Sequence, residues 1–331
     1  MKQFTWGIIG PGKIANKFAI ALTLVEGTSL GAVASRDIAR AKSFAEAHNV
    51  PTIYDSYDQL AADPSIDAVY IATPHGYHAE HASLCLRHGK AVLCEKPMAL
   101  SARQVGEMVD TARANNAFLM EAMWTRFLPL TEEITRQIAD GQIGDLAISA
   151  PTSASPPPST PPDASTTSAS AAAPSSISAS IPSSSVSIFS ANPGRSPLPA
   201  TSRQPAPTTP ATPSSSLPKA SSAVITSTLT CQTGLTAEIA GAHAAIHILS
   251  PWYRNDRFTI HKNNRDQAAG EPILIQLEPM INGFEYQIRE TMNCVSTHLI
   301  ESPKMSFDFS LLMARTMDTI RTQLGVKYPT E

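Results

Sequence analysis

Three small residues at fixed spacing form the first motif that could bind a ligand. Gly10, Gly12 and Ala15 follow the apolar run 4–9 and open a predicted helix at 13–25. The first glycine suits a tight turn, the second lets the backbone approach a diphosphate, and the alanine lets the helix pack close to the strand. Free N–H groups at a helix start favour phosphate. The expected cofactor-binding residues here are Gly10, Gly12, Lys13, Ile14 and Ala15.

A lysine at the end of another predicted strand could move a proton. Glu95, Lys96 and Pro97 follow the apolar run 91–94. Ligands of parallel sheets bind at the carboxyl ends of the strands. An ammonium there can polarise a substrate oxygen or relay the proton that an alcohol releases as its hydride leaves. The alternative interpretation is a solvated loop lysine without a chemical role.

The end of the second predicted strand bears on the choice of cofactor. An acidic residue there would bind the ribose 2′-hydroxyl of NAD. This chain instead has Ser35 and Arg36. A hydroxyl and a guanidinium suit a 2′-phosphate. We therefore predict NADP rather than NAD, and we interpret the neighbouring Asp37 as the cap of the next helix.

These motifs require a sheet that brings strand ends together. The predicted strands of the first part lie at about 4–9, 30–34, 67–72, 91–94 and 117–120. The predicted helices lie at 13–25, 37–48, 77–88 and 101–115, and a long helix follows at 128–140. Apolar strands alternating with helices of this length indicate an α/β fold with a parallel, doubly wound sheet.

Beyond residue 223, the pattern changes to that of an α+β domain. Strand-like segments lie at about 223–230, 236–241, 244–249, 257–260 and 271–277, and two helices follow at 283–300 and 308–323. The predicted domains are therefore a Rossmann domain at 1–125, a connecting helix and the start of a second domain at 126–150, a low-complexity segment at 151–222, and an incomplete α+β domain at 223–331.

Composition narrows the functional class. The chain has 331 residues and a net charge of −3, so nothing indicates a nucleic-acid partner. The four cysteines have neither metal-site spacing nor disulfide density, which favours reduced thiols in a cytoplasmic protein. We expect no signal peptide, no membrane span and no metal. His48, His81 and His88 are interpreted as surface residues of helices.

The segment 151–222 departs from the composition of a folded domain. Of its 72 residues, 58 are Ser, Pro, Ala or Thr, and it holds 16 of the 27 prolines. Such a stretch buries too little apolar surface to offset its chain entropy, and its prolines exclude regular helices. We expect the segment to be disordered as written.

The motifs in combination resemble the Gfo/Idh/MocA oxidoreductase family, especially its dihydrodiol and NADP-dependent xylose dehydrogenase branch. The resemblance covers about 1–150 and 223–331. It rests on the glycine turn, on the Glu95–Pro97 triplet and on the stretches 72–78, 121–129, 283–286, 301–303 and 315–318.

The resemblance implies a Rossmann domain followed by an open-faced sheet that often mediates homodimers. It implies hydride transfer between a nicotinamide and a CH–OH group of a sugar or trans-dihydrodiol. The further cofactor-binding residues that it implies are Thr73, Pro74, His75, Glu95, Lys96 and Pro97. The implied catalytic residues are Lys96 and His78, and the implied substrate residues are Trp124, Arg126 and Phe127.

The family carries strands, a catalytic or substrate-binding Asp and a Tyr where this chain carries the low-complexity segment. Reading GC-rich codons for such strands one base late yields the sequences seen at 152–155 and 176–182. We therefore hypothesise that 148–222 is read out of frame, with the Asp site at Ile177 and the Tyr site at Ile181. The alternatives for this segment are a genuine disordered insertion or a partner-docking linker. The alternative function is that of an NADP-binding protein with impaired or no catalysis, because the Asp and Tyr segment is missing.

The reading-frame hypothesis predicts a specific result from the gene. Shifting the frame by one base between codons 145 and 225 should restore a strand-rich sequence, because only the reading and not the nucleotides would differ. Sequencing this window measures it directly. If neither other frame yields alternating apolar strands, the hypothesis is wrong and the segment is a genuine insertion.

Overall fold

The computed structural model describes residues 3–154, 222–223, 226–228, 234–263 and 270–328. These ranges include all the predicted site residues that the sequence motifs single out. The predicted Asp and Tyr positions, Ile177 and Ile181, lie outside the described residues, as does the segment 155–221.

The first domain is built on a six-stranded parallel sheet. Its strands are β1 (Phe4–Ile9), β2 (Thr28–Ala34), β3 (Thr52–Tyr54), β4 (Ala68–Ile71), β5 (Ala91–Glu95) and β6 (Leu119–Ala122). The strand order is β3-β2-β1-β4-β5-β6, with every pair parallel. The predicted doubly wound fold is therefore confirmed. The chain order reverses between β1 and β4, where such sheets bind ligands.

Five helices cover the two faces of this sheet. They are α1 (Lys13–Leu22), α2 (Ile38–His48), α3 (Tyr57–Ala62), α4 (His78–Arg87) and α5 (Ala102–Ala114). The next helix, α6 (Pro129–Ala139), instead packs its buried Leu130 and Ile134 against strands of the second sheet. The strands are apolar because both faces are covered: Ile8 and Ile9 point to opposite sides, and both are fully buried.

Two short elements were missed by the sequence reading. Neither β3 nor α3 was predicted, because three and six residues are too few to show a period. Helix α1 ends at Leu22 rather than at residue 25. The chain turns at Gly27, whose φ of 78° is left-handed, and β2 then starts at Thr28.

The second sheet is mainly antiparallel. Its strands are β7 (Leu146–Ala154), β8 (Ser222–Ala223), β9 (Thr226–Thr228), β10 (Ala237–Gly241), β11 (Ala244–Ile248), β12 (Arg257–Lys262) and β13 (Ile273–Gln276). The order is β13-β12-β11-β10-β7-β8, and β9 also pairs with β7. Strand β7 extends to residue 154, four residues past the predicted boundary at 150. This separate sheet confirms the predicted α+β class of the second domain.

The two final helices return to the first domain. Helix α7 (Glu285–Ser296) contacts α1, and helix α8 (Phe307–Gln323) packs along α5. The Arg289 guanidinium donates to the carbonyl of Leu24 (3.1 Å). The carboxylate of Asp318 accepts the N–H of Ala102 at 2.9 Å. Although both helices belong to the predicted unit 223–331, they complete the core around the first sheet.

Candidate functional site

The turn after β1 requires glycine at its first position. Gly10 has a φ of 91°, which L side chains rarely adopt. A Cβ there would lie 2.8 Å from the backbone nitrogen of Thr73. The turn is therefore pressed against the loop that follows β4, and the two loops share one edge of the sheet.

The second glycine faces open space at the start of α1. A Cβ on Gly12 would meet no atom within 4 Å, and no side chain caps the helix. The first turn of α1 also lacks acidic residues. Lys13 is exposed beside it, Ile14 is half-buried, and Ala15 is fully buried in the helix–sheet contact. This arrangement leaves first-turn N–H groups and an open approach for an anion.

The end of β2 is followed by the hydroxyl of Ser35 and the guanidinium of Arg36, while the carboxylate of Asp37 caps the next helix. Asp37 caps α2 by accepting the N–H groups of Ala39 (3.1 Å) and Arg40 (3.2 Å), which confirms its predicted capping role. Ser35 is buried and its Oγ accepts the N–H of Asp37. The exposed Arg36 guanidinium lies 5.3 Å from the ring centre of Tyr77.

The loop after β4 is held by a buried histidine of α4. The Thr73 hydroxyl lies 3.0 Å from Nδ1 of His81, which is only 6% exposed. The prediction of His81 as a surface residue is wrong, because the rings of Tyr57 and Tyr77 pack on either side of it. Pro74 and His75 lead from this loop into a short 3-10 turn. Burial, aided by the charge of Lys96, lowers the pKa of His75.

His78 joins two loops of the site. Its ring is 2% exposed, with Nε2 2.8 Å from the carbonyl oxygen of Thr73 and Nδ1 2.9 Å from that of Pro97. Burial lowers the pKa of His78 to about 4, although the two carbonyls oppose that shift. Both ring nitrogens thus face backbone, and the ring links the β4 loop to the segment that carries Lys96.

A second buried contact links α1 to the end of β5, where Glu95 and Lys96 lie. The Tyr70 hydroxyl of β4 donates to the carboxylate of Glu95, and the Tyr70 ring stacks on Phe18 of α1 with centroids 3.8 Å apart. Burial raises the pKa of Glu95, which is 6% exposed. Phe18 and Tyr70 therefore join α1 to the strand that ends beside Lys96.

Lys96 lies half-buried directly after β5. Burial lowers its pKa, while the nearby carboxyl groups of Glu95 and Glu121 act in the opposite direction. Such a lysine loses its proton more readily than an exposed one, and its charge is controlled by its neighbours.

Glu121 is the site residue that the sequence reading missed. It lies on β6 opposite Cys94 of β5 and is 4% exposed. Its Oε1 accepts the N–H of Met98 at 3.0 Å. Burial raises its pKa to about 7. The available signal was an acidic residue inside an apolar run, but the strand predicted at 117–120 ended one residue too early to include it.

The three predicted substrate residues lie in one turn after β6 and differ in their surroundings. Trp124 is half-buried and stacks on Phe284 with centroids 5.4 Å apart. Arg126 lies over the ring of Phe309 at 3.9 Å and donates through Nε to the carbonyl of Lys304. Burial lowers the pKa of Arg126 to about 10. Phe127 is buried in the core of the first domain.

Two kinds of feature are absent within the described ranges. No helix there combines the length and apolarity needed to cross a bilayer. No group of three or more His, Cys, Asp or Glu side chains is placed to hold a metal ion in that part of the chain.

Comparison with known proteins decides the family. Residues 4–123 match the family model described as "Oxidoreductase family, NAD-binding Rossmann fold". A trans-1,2-dihydrobenzene-1,2-diol dehydrogenase of Xenopus tropicalis is 33% identical over 332 residues, which cover 98% of this chain and 99% of the relative. The chain belongs to the Gfo/Idh/MocA oxidoreductase family. It is an oxidoreductase with an NAD(P)-binding Rossmann fold.

Other similarities agree with this family. The enzyme of that name from Mus musculus is 47% identical over 146 residues, covering 44% of both chains. Among solved structures, KijD10, a 3-ketoreductase from Actinomadura kijaniata crystallised with NADP and TDP-benzene, has a TM-score of 0.75 and 21% identity, with 97% of each chain covered. That structural likeness shows the same two-domain fold.

The buried position of His78 predicts a pH-dependent stability. Its pKa of about 4 in the fold lies below the ordinary 6.5, so the unfolded chain takes up a proton that the folded ring resists. His78 therefore contributes to the free energy of unfolding above pH 6.5. This contribution is lost as the pH falls toward 4, and the free energy of unfolding drops by about 2 kcal/mol between pH 7 and pH 5. Chemical unfolding of the native chain and of His78→Gln at both pH values measures this difference.

In that experiment, the stability advantage of the native chain over His78→Gln should shrink by about this amount at pH 5. His88→Gln changes an exposed ring at the opposite end of α4 and serves as the control. An advantage of the native chain over His78→Gln that is unchanged or larger at pH 5 would show that the ring is not held neutral.

Proposed function

We propose that this chain is an NADP-dependent oxidoreductase that transfers a hydride between the nicotinamide and a CH–OH carbon of a small sugar or trans-dihydrodiol. The observation that carries the proposal is the position of Lys96, half-buried at the carboxyl end of β5 and tied to the phosphate turn through Pro97, His78 and Thr73. The dehydrogenase names of the full-length relatives support the reaction type.

The cofactor's diphosphate is assigned to the start of α1. Gly10 makes the turn that only glycine accepts, and Gly12 leaves the approach open. First-turn N–H groups of α1, which no side chain caps, would donate to the phosphate oxygens. Lys13, exposed beside the turn, adds a positive charge. Bound NADP would supply the hydride acceptor.

The 2′-phosphate is assigned to Ser35 and Arg36. Asp37 uses its carboxylate to cap α2, so it is engaged away from a ribose hydroxyl. The Arg36 guanidinium is exposed and rests near the Tyr77 ring, in reach of an anion at the end of β2. A guanidinium binds phosphate in bidentate fashion, which favours NADP over NAD.

Lys96 is the proposed acid–base group. Its neutral amine would accept the proton of the substrate hydroxyl during oxidation, and its ammonium would return that proton during reduction. Burial lowers its pKa, which increases the fraction of neutral amine near neutral pH. Both nitrogens of His78 face carbonyl oxygens, so we assign His78 to holding the Lys96 segment in place.

The substrate is proposed to lie against the turn at Trp124–Phe127. Trp124 offers a half-buried aromatic face beside Phe284 and Tyr253. Such a face suits the apolar side of a sugar or the ring of a dihydrodiol. Arg126 holds the turn by donating a hydrogen bond to the carbonyl of Lys304, and Phe127 holds it by packing in the core of the first domain.

We also propose a homodimer through the second sheet, where Ile273 and Leu274 of β13 are exposed.

We infer that residues 148–222 are an out-of-frame reading of a segment that the relatives carry in frame. The alignment with the frog enzyme covers 98% of this chain and 99% of the relative, so the segment replaces a stretch of similar length and does not extend the chain. The match to the mouse enzyme is shorter, at 146 residues, but its identity is higher, at 47%. This difference agrees with a disruption of the sequence outside those residues. Without the Asp and Tyr of the family, turnover by this chain should be slow.

Replacing Lys96 tests its role in catalysis. Lys96→Met should lower the rate of NADPH-dependent reduction by about 100-fold or more, because it removes the acid–base group. Its affinity for NADPH should stay close to that of the native chain. Single-turnover stopped-flow absorbance with a panel of aldoses and ketones related to dihydrodiols measures the rate, and Lys262→Met, an exposed lysine of β12, is the control. A native rate in Lys96→Met would refute the assignment.

Replacing Arg36 tests the cofactor preference. Arg36→Ala should reduce the ratio of NAD to NADP dissociation constants by about tenfold, since the 2′-phosphate loses its charged partner. Arg40→Ala removes a neighbouring exposed arginine that pairs with Asp37 and should leave the ratio unchanged. Fluorescence titration with NADPH and NADH gives both constants. Equal ratios in the two variants would contradict the NADP assignment.

A further inference from the structure

A buried glutamate lies next to the proposed acid–base lysine without touching the predicted cofactor turn. Glu121 projects from β6, and its strand neighbour on β5 is Cys94, two residues before Lys96. Its Oε1 accepts the N–H of Met98 at 3.0 Å. The same carboxyl group thus holds the backbone just after Lys96 and lies close enough to affect its charge.

Helix α8 lies next to this carboxyl group. Its buried Ser310 and Met313 line the same cavity as Glu121. Two turns further along α8, the Asp318 carboxylate accepts the N–H of Ala102. The segment 97–102 is therefore held at Met98 by Glu121 of β6 and at Ala102 by Asp318 of α8.

We propose that Glu121 is a positioning residue for Lys96: its buried carboxylate fixes the backbone that follows Lys96 and places a negative charge on the strand next to it. The proposal rests on the role of Lys96 in the proposed function and adds Glu121 as the residue that sets the position and charge of Lys96.

The balance of charges around the lysine supports this role. Burial disfavours the ammonium of Lys96, and the carboxyl groups of Glu95 and Glu121 favour it. Glu95 also accepts a hydrogen bond from the Tyr70 hydroxyl, whereas Glu121 accepts one from the N–H of Met98. The other titratable groups that face this cluster are Cys94 on β5, His75 on the β4 loop and Arg321 on α8.

The titration of Glu121 gives the effect a direction. Burial raises its pKa to about 7. Above that pH its carboxylate is charged and favours the Lys96 ammonium, and below it the group is neutral and the support is lost. Removing the carboxylate should therefore change the basicity of Lys96 chiefly above neutral pH.

The test measures the basicity of Lys96 directly, without turnover. The full chain is treated with trace acetic anhydride between pH 6.5 and 10, and acetylation of Lys96 is quantified by mass spectrometry, because only the neutral amine reacts. In Glu121→Gln the amide oxygen still accepts from Met98, so the backbone contact is kept while the charge is removed. The midpoint for Lys96 should move down by about one pH unit, a tenfold gain in reactivity below the midpoint.

A matched control variant completes the design. Glu107→Gln changes an exposed glutamate on α5 and should leave the midpoint in place. An unchanged or higher midpoint in Glu121→Gln overturns the proposal. Failure of the proposed function would instead show as absent hydride transfer with the acetylation shift intact.

Discussion

One imidazole ring, buried between two backbone carbonyls, sets the relation between the loops that carry the proposed chemistry. His78 faces the carbonyl of Thr73 on one side and that of Pro97 on the other. Thr73 packs against Gly10, the first residue of the turn that is proposed to bind phosphate. Pro97 follows Lys96. The ring thus lies between the two loops on which cofactor binding and proton transfer are proposed to depend. In its neutral form it carries one N–H and donates to one of the two carbonyls.

The second feature of the site is a balance between burial and charge. Burial at the end of β5 disfavours the charged form of Lys96, and two glutamates on adjacent parallel strands offset part of this effect. A protein can in this way hold a lysine near the point where it gains or loses a proton. The two carboxyl groups have different second partners, a tyrosine hydroxyl for Glu95 and a backbone amide for Glu121. The C-terminal helix α8, although it lies far along the chain, lines the cavity beside Glu121 with its buried Ser310 and Met313.

The sequence alone predicted the first sheet and the glycine turn after β1, because each depends on local patterns. Apolar runs separated by helix-length segments indicate parallel strands, and Gly10 and Gly12 occupy positions where a side chain would meet backbone or fill an open approach. The capping role of Asp37 was also local. Contacts between distant segments were not accessible in this way. Nothing in the sequence around His81 or Glu121 shows that tyrosine rings and α8 bury them, and β3 is too short to show a period.

A crystal structure of the full chain with NADP tests the central claim most directly. The account predicts the diphosphate within hydrogen-bonding distance of the first-turn N–H groups of α1 beside Gly12. It predicts the 2′-phosphate against Arg36 and the Nζ atom of Lys96 facing the nicotinamide ring. A cofactor bound elsewhere, or a Lys96 side chain directed away from the nicotinamide, would contradict it.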